Sequence, residues 1–129
     1  MSGQAPLALL YVDDDADIRH IVKLAVSLDR AMDLRAAGSA AEALALLDAS
    51  DWRPDVIMLD VMMPKMSGPE LMGTLRHDYG LHGKPFIFIT AMGREMDLAS
   101  YRKLGVADII LKPFNPITLA QHIRKVVNI

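Results

Sequence analysis

This sequence predicts a doubly wound α/β fold, with five parallel strands covered by helices on both faces. Three observations predict it. Short runs that are apolar throughout recur along the chain, segments with helical apolar spacing separate them, and the connections are short. Strands apolar on every residue are buried on both faces, as parallel sheets require. Right-handed crossovers then leave an open doubly wound sheet or a closed barrel. Five strand–helix units are too few for the eight-fold barrel.

After a polar lead over residues 1–6, the domain is expected to occupy residues 7–128. Leu7 to Val12 is a continuous apolar run, readable as a strand buried on both faces. Asp13, Asp14 and Asp15 follow it, and apolar residues then recur at Ile18, Ile21, Val22, Ala25 and Leu28. That spacing is helical, and Asp15 and Asp17 lie at its N-terminus, where the helix dipole favours negative charge. Leu34 to Ala37 is a weaker second strand ended by Gly38, and Ser39 with Glu42 has the spacing of a capping box. Ala43, Leu44 and Leu47 supply the apolar stripe of that helix.

Pro54 to Leu59 is the third strand, and Asp60 ends it just before a turn. Ser67 and Glu70 repeat the capping-box spacing and open a helix through Leu71, Met72 and Leu75. Pro85 to Ile89 is the fourth strand, closing at Thr90. The next helix begins with Glu95 and Asp97 and ends with Arg102 and Lys103 before Gly105, charges matched to both poles. Val106 to Leu111 is the fifth strand, followed by Lys112. Asn115 and Pro116 are expected to cap and start a last helix carrying Leu119, Ile123, Val126 and Val127.

Composition excludes several classes of function. A chain of 129 residues, 52% hydrophobic, can bury a real core as one domain. Its net charge of −2 comes from interspersed signs with no basic block, which argues against nucleic acid and anionic membrane as partners. The absence of cysteine removes disulfides, thiolate metal sites and cysteine nucleophiles. No apolar run approaches membrane-spanning length, and residues 1–6 carry neither a basic n-region nor an apolar h-region. A cytoplasmic location is the compositional expectation.

The chemistry concentrates at strand ends. In a doubly wound sheet ligands bind beyond the carboxyl ends of the strands, near the point where strand order reverses. Asp13 and Asp14 follow the first strand there, Asp60 the third, Thr90 the fourth and Lys112 the fifth. The simpler reading is that strand ends turn polar as they reach solvent, which explains any one of these residues better than all of them together. Gathered carboxylates repel, and at least one would hold its proton more tightly unless a cation intervenes. Oxygen donors without His or Cys favour Mg²⁺, or Mn²⁺ as a substitute. The four histidines, His20, His77, His82 and His122, lack ligand spacing and read as surface residues. A metal beside a carboxylate, with a lysine and a hydroxyl nearby, suits a phosphoryl group, with strand-end N–H groups after Asp60 and Thr90 as further donors. No glycine-rich phosphate loop is present, so a nucleotide is not the expected phosphate source.

Val12-Asp13-Asp14, the run from Leu59 and Asp60 to Pro64 with Gly68, Thr90-Ala91, and Lys112-Pro113-Phe114 are the residues of a specific pattern. By them the chain resembles a response-regulator receiver domain, the phospho-acceptor of two-component signalling, over almost its whole length. The resemblance implies a flavodoxin-like (βα)5 sheet of order 2-1-3-4-5, and phosphorylation of Asp60 by a sensor histidine kinase or a histidine phosphotransfer protein. It implies that Asp14, Asp60 and the backbone carbonyl of Met62 bind Mg²⁺ directly and that Asp13 acts largely through water. Lys112 would pair with Asp60 and then with the phosphoryl group, and Thr90 would swing its hydroxyl toward it. A cis peptide at Lys112-Pro113 is also implied. Such a protein is a switch with self-catalysed phosphorylation and dephosphorylation, as a monomer or a phosphorylation-dependent dimer, acting on a downstream protein the sequence does not name.

The chain departs from the pattern at one place. Receivers usually carry an aromatic residue three positions before the lysine, and here that residue is Ile109. Phe88 shares strand parity with Thr90, and the run from Pro85 to Ala91 partly resembles that of a subset of single-domain receivers, with Ile89 and Ala91 breaking it. Met62 and Met92 occupy positions that in this family flank the attacking water, where they would shield an acyl phosphate; filling gaps is the alternative. Trp52 reads as packing, Arg19 as solvated helix surface, and Tyr101 is left undecided. Two other functions fit less well. An aspartyl-nucleophile phosphatase would need an acid where Met62 stands and a cap domain. A flavodoxin-like cofactor binder would need a hydroxyl-rich loop where Asp13, Asp14 and Asp15 would repel phosphate. A stand-alone receiver and a piece of a longer protein are both compatible with the sequence.

Overall fold

The computed structural model describes residues 6–91 and 93–128. Five strands, β1 (Leu7–Val12), β2 (Met32–Ala37), β3 (Val56–Asp60), β4 (Phe86–Thr90) and β5 (Asp108–Leu111), form one parallel sheet in the order β2-β1-β3-β4-β5. Helices α1 (Ala16–Val26), α2 (Ala40–Asp48), α3 (Gly68–Asp78), α4 (Glu95–Lys103) and α5 (Leu119–Val127) alternate with them. The order reverses at β1, which pairs with β2 on one side and β3 on the other. Val12 lies beside Leu59 in that register, so Asp13, just past β1, and Asp60, the last residue of β3, emerge next to each other.

Strand alternation divides the core in two. Leu10 and Val12, Ile57 and Leu59, and Phe86 and Phe88 face α2 and α3, with Leu47, Leu71 and Leu75 packed against them. Leu9 and Tyr11, Val56 and Met58, and Ile87 and Ile89 face α1 and α5, against Val22, Val26, Leu119 and Ile123. Both faces of β3 and β4 are buried, which is why their sequences lack a polar alternation.

Helix starts follow their caps. Ser67 accepts the Glu70 N–H while the Glu70 carboxylate accepts the Ser67 N–H, a complete capping box. At α2 only half of the expected box forms: Ser39 accepts the Glu42 N–H, but the Glu42 carboxylate turns to the N–H of Gly38. The last helix starts later than the Asn115-Pro116 signal implies. The Asn115 side chain accepts the Ile117 N–H and closes a turn, so that α5 begins at Leu119, its first buried residue. Among the described residues no helix is long and apolar enough to cross a membrane.

Candidate functional site

The site is built by three loops at the carboxyl edge of the sheet. Asp13 leaves β1 fully buried, and its Oδ1 accepts the Asp15 N–H at 2.9 Å. Asp15 itself caps α1, accepting the N–H groups of Asp17 and Ile18. Arg19, expected on a solvated face, is half-buried and donates to the Asp13 carbonyl at 2.7 Å. On the next loop Asp60 is buried, and the Gly68 N–H donates to the Val61 carbonyl at 3.0 Å, folding the start of α3 back onto the end of β3.

These loops gather three of the residues singled out in the sequence: one carboxylate oxygen from each of Asp13, Asp14 and Asp60 lies within 4.8 Å of the others. Lys112 reaches them from beyond β5, with Nζ 2.9 Å from Asp13 Oδ2 and 3.5 Å from Asp60 Oδ1. The tighter pair is therefore with Asp13, not with Asp60. Lys112 is held from behind by its own N–H, which donates to the Thr90 carbonyl at 2.8 Å, and the Lys112-Pro113 peptide is cis. Thr90 is buried at the end of β4, the strand next to Asp60.

Burial and charge set the protonation of the cluster. Burial first, and the Asp13 charge second, push the Asp60 carboxyl up to about 7 against the opposing pull of Lys112. Burial would also raise Asp13, but the Tyr11 hydroxyl, the Asp15 N–H and Lys112 outweigh it and hold that carboxyl below the usual carboxylate range. Burial alone would lower Lys112, yet the two carboxylates hold its ammonium above its ordinary value.

The shift at Asp60 has a sign that thermal unfolding can read. Its folded-state pKa lies above the unfolded value, so its contribution to stability is complete below about pH 4 and is lost as pH rises through about 7. Asp13 acts in the opposite sense, but only below the usual carboxylate range. With a chelator present, the unfolding temperature should climb as pH is lowered from 8 to 5. Asp60→Asn should flatten that climb and raise the unfolding temperature at pH 8 by roughly 5 °C or more. A parallel pH profile in Asp60→Asn would contradict this account.

Several features were not read from the sequence. The Val61 N–H, the first donor after Asp60, is already committed to the Ile89 carbonyl at 3.2 Å, so it is not available to a ligand. Tyr101 turns down from α4 and meets Phe88 edge-on, ring centroids 5.6 Å apart, while Ile109 packs against the same core. Tyr11, fully buried, donates its hydroxyl to Asp13 Oδ2 at 2.5 Å. Its place two residues before Asp13, on the same strand face, was the available signal. Met62 has an exposed side chain, 62% accessible, and Met92 lies outside the described residues. All four histidines are exposed, and Trp52 packs on the core with its indole N–H on Asp33.

The donor set fits a hard divalent cation: three carboxylates converge, one of them is short of positive charge, and no soft donor is among them. Comparison with known proteins identifies the family. The family model "Response regulator receiver domain" matches residues 9–124. The "Transcriptional regulatory protein CpxR" of Klebsiella pneumoniae subsp. pneumoniae is 36% identical over 118 residues, which cover 92% of this chain and 48% of that protein. An uncharacterized 14.6 kDa protein of Leptolyngbya boryana is 33% identical over 125 residues, covering 97% of this chain and 93% of its own length. The chemotaxis protein CheY4 of Vibrio cholerae superposes with a TM-score of 0.82 at 30% identity, covering 95% of this chain and 99% of that one. The chain thus spans about half the length of the transcriptional regulators it matches, 48% for CpxR, and nearly all of the CheY4 structure. Three carboxylates and a lysine at the switch point of a 2-1-3-4-5 sheet, together with a family match over residues 9–124, establish that the chain belongs to the response regulator receiver domains.

Proposed function

We propose that residues 7–128 act as the phospho-accepting switch of a two-component phosphorelay, with Asp60 as the acceptor. The observation that carries this reading is Asp60 itself: a buried carboxylate at a strand end, beside two other acids and the ammonium of Lys112. The donor would be a phosphohistidine on a sensor histidine kinase or histidine phosphotransfer protein. An Asp60 oxygen attacks phosphorus, the P–N bond breaks, and the imidazole leaves with the electron pair. Lys112, already between Asp13 and Asp60, has a short path to a phosphoryl oxygen. Thr90, at the end of the neighbouring strand, would turn its hydroxyl toward that charge.

Mg²⁺, or Mn²⁺ in its place, would be held by Asp14, Asp60 and the Met62 carbonyl, with Asp13 acting through water. When bound it supplies positive charge to the phosphoryl oxygens. Binding below about pH 7 would release the proton that Asp60 holds there, since its carboxyl is pushed up to about 7. Phosphorylation and dephosphorylation are self-catalysed by these residues, and the phosphorylated form changes contacts with a downstream protein, as a monomer or as a dimer. The working compartment is the cytoplasm. The reading is tested by incubating the protein with a small acyl phosphate and Mg²⁺ and measuring its mass. The wild type should gain one phosphoryl group. Asp60→Asn should gain none, and normal uptake by that variant would remove Asp60 as the acceptor.

A further inference from the structure

Asp13 carries three hydrogen bonds on its carboxylate. A carboxylate offers about four lone-pair positions, two on each oxygen. Oδ2 of Asp13 takes the Tyr11 hydroxyl at 2.5 Å and the Lys112 ammonium at 2.9 Å, and Oδ1 takes the Asp15 N–H at 2.9 Å. Tyr11 and Asp13 share one face of the β1 extension, so the hydroxyl meets the carboxylate along the strand, from within the core under α1 and α5. Tyr11 is wholly inaccessible to solvent, so its hydroxyl needs a partner within the protein. Asp14 is exposed by contrast, and Asp60 meets Lys112 only at 3.5 Å. The three acids are therefore not equivalent toward a cation.

We propose that Tyr11 is a positioning residue, whose buried hydroxyl holds Asp13 Oδ2 away from the metal so that Asp13 grips Lys112 and meets the ion through water. The inference rests on the acid cluster being a divalent-cation site. Deleting the hydroxyl leaves Oδ2 under-satisfied in the metal-free protein, a deficit that direct ligation removes. The sign follows: loss of a core hydrogen bond should tighten metal binding, whereas a residue that merely packs would weaken it or leave it alone.

The test uses Mn²⁺ as the probe, titrated into the full chain and followed by electron paramagnetic resonance and water-proton relaxation. Tyr11→Phe keeps the ring, and it should bind Mn²⁺ about fivefold more tightly with one fewer coordinated water. In an Asp13→Asn background the same substitution should change neither quantity. Unchanged or weaker binding by a cooperatively folding Tyr11→Phe would overturn the inference, as would the same gain in the Asp13→Asn background. Should Tyr11→Phe not fold, the Tyr11 Cζ resonance of the wild type decides. It should move with Mg²⁺ at the midpoint of metal binding, and a resonance blind to Mg²⁺ overturns the coupling. A wild type that binds no Mn²⁺ overturns the cation site itself, an outcome distinct from binding that ignores Tyr11.

Discussion

Lys112→Met should destabilise the metal-free protein by about 3–5 kcal/mol, the usual cost of removing one partner from a buried ion pair. Its ammonium is the cation that meets both Asp13, fully buried, and Asp60, 6% exposed. Methionine keeps the length and apolar stem while leaving two adjacent carboxylates without it. Asp60, already pushed up to about 7, would retain its proton to still higher pH. Saturating Mg²⁺ should restore part of the lost stability, because a divalent ion at the three acids supplies the missing charge. Phosphoryl uptake should remain about 10²–10³-fold slow even then, since removing one donor to developing charge costs that much elsewhere. Thermal unfolding with and without Mg²⁺, and the rate of acyl-phosphate uptake, measure the two effects. A variant as stable as wild type without metal would show that Lys112 does not hold the acids together.

Gly68→Ala should cost about 1–3 kcal/mol, the range of an overpacked core. A Cβ on Gly68 would stand 2.4 Å from the Asp60 carbonyl oxygen and 3.1 Å from the Val61 Cα, both backbone atoms where β3 ends. No flexible side chain can yield there. Relief requires shifting either the start of α3 or the end of β3, and the second displaces Asp60 from its partners. Uptake of phosphate should therefore slow along with the loss of stability. Gly73→Ala is the matched comparison on the same helix. It has nothing within 4 Å of its Cβ and should stabilise α3 by up to about 1 kcal/mol. Opposite signs at the two positions, read by denaturant unfolding, separate steric approach from helix propensity. Equal small effects would show that the close approach at Gly68 relaxes without cost.

Much of the site was legible because strand ends are marked by a change of polarity. Asp13, Asp14, Asp60, Thr90 and Lys112 each follow an apolar run, and a doubly wound sheet puts every such end at one edge. The capping box at Ser67 and Glu70 was equally local, a spacing of three residues. The misplaced start of α5 shows the limit of such signals. Asn115 does accept a backbone N–H, but within a turn, and the helix waits for Leu119 to reach the core. Local chemistry marked Asn115 as an acceptor of a nearby N–H, but the N-cap position of α5 falls at Thr118, where the buried surface begins.

By itself the sequence determined the strand–helix alternation, the two-faced burial of the central strands and the identity of the acids at their ends. These depend on runs that are apolar throughout for the strands and on a period of about 3.6 for the helices, both written along the chain. Only the tertiary structure decided which acid Lys112 grips, since that contact spans 99 positions and its geometry depends on how β1, β3 and β5 align. It also decided that Tyr101 comes down from α4 onto Phe88, and that the Tyr11 hydroxyl is spent on Asp13. A tyrosine in an apolar run counts as core by pattern. Asp13, two residues on along the same strand face, is within reach by pattern, and packing of the ring under α1 and α5 decides that the hydroxyl meets it.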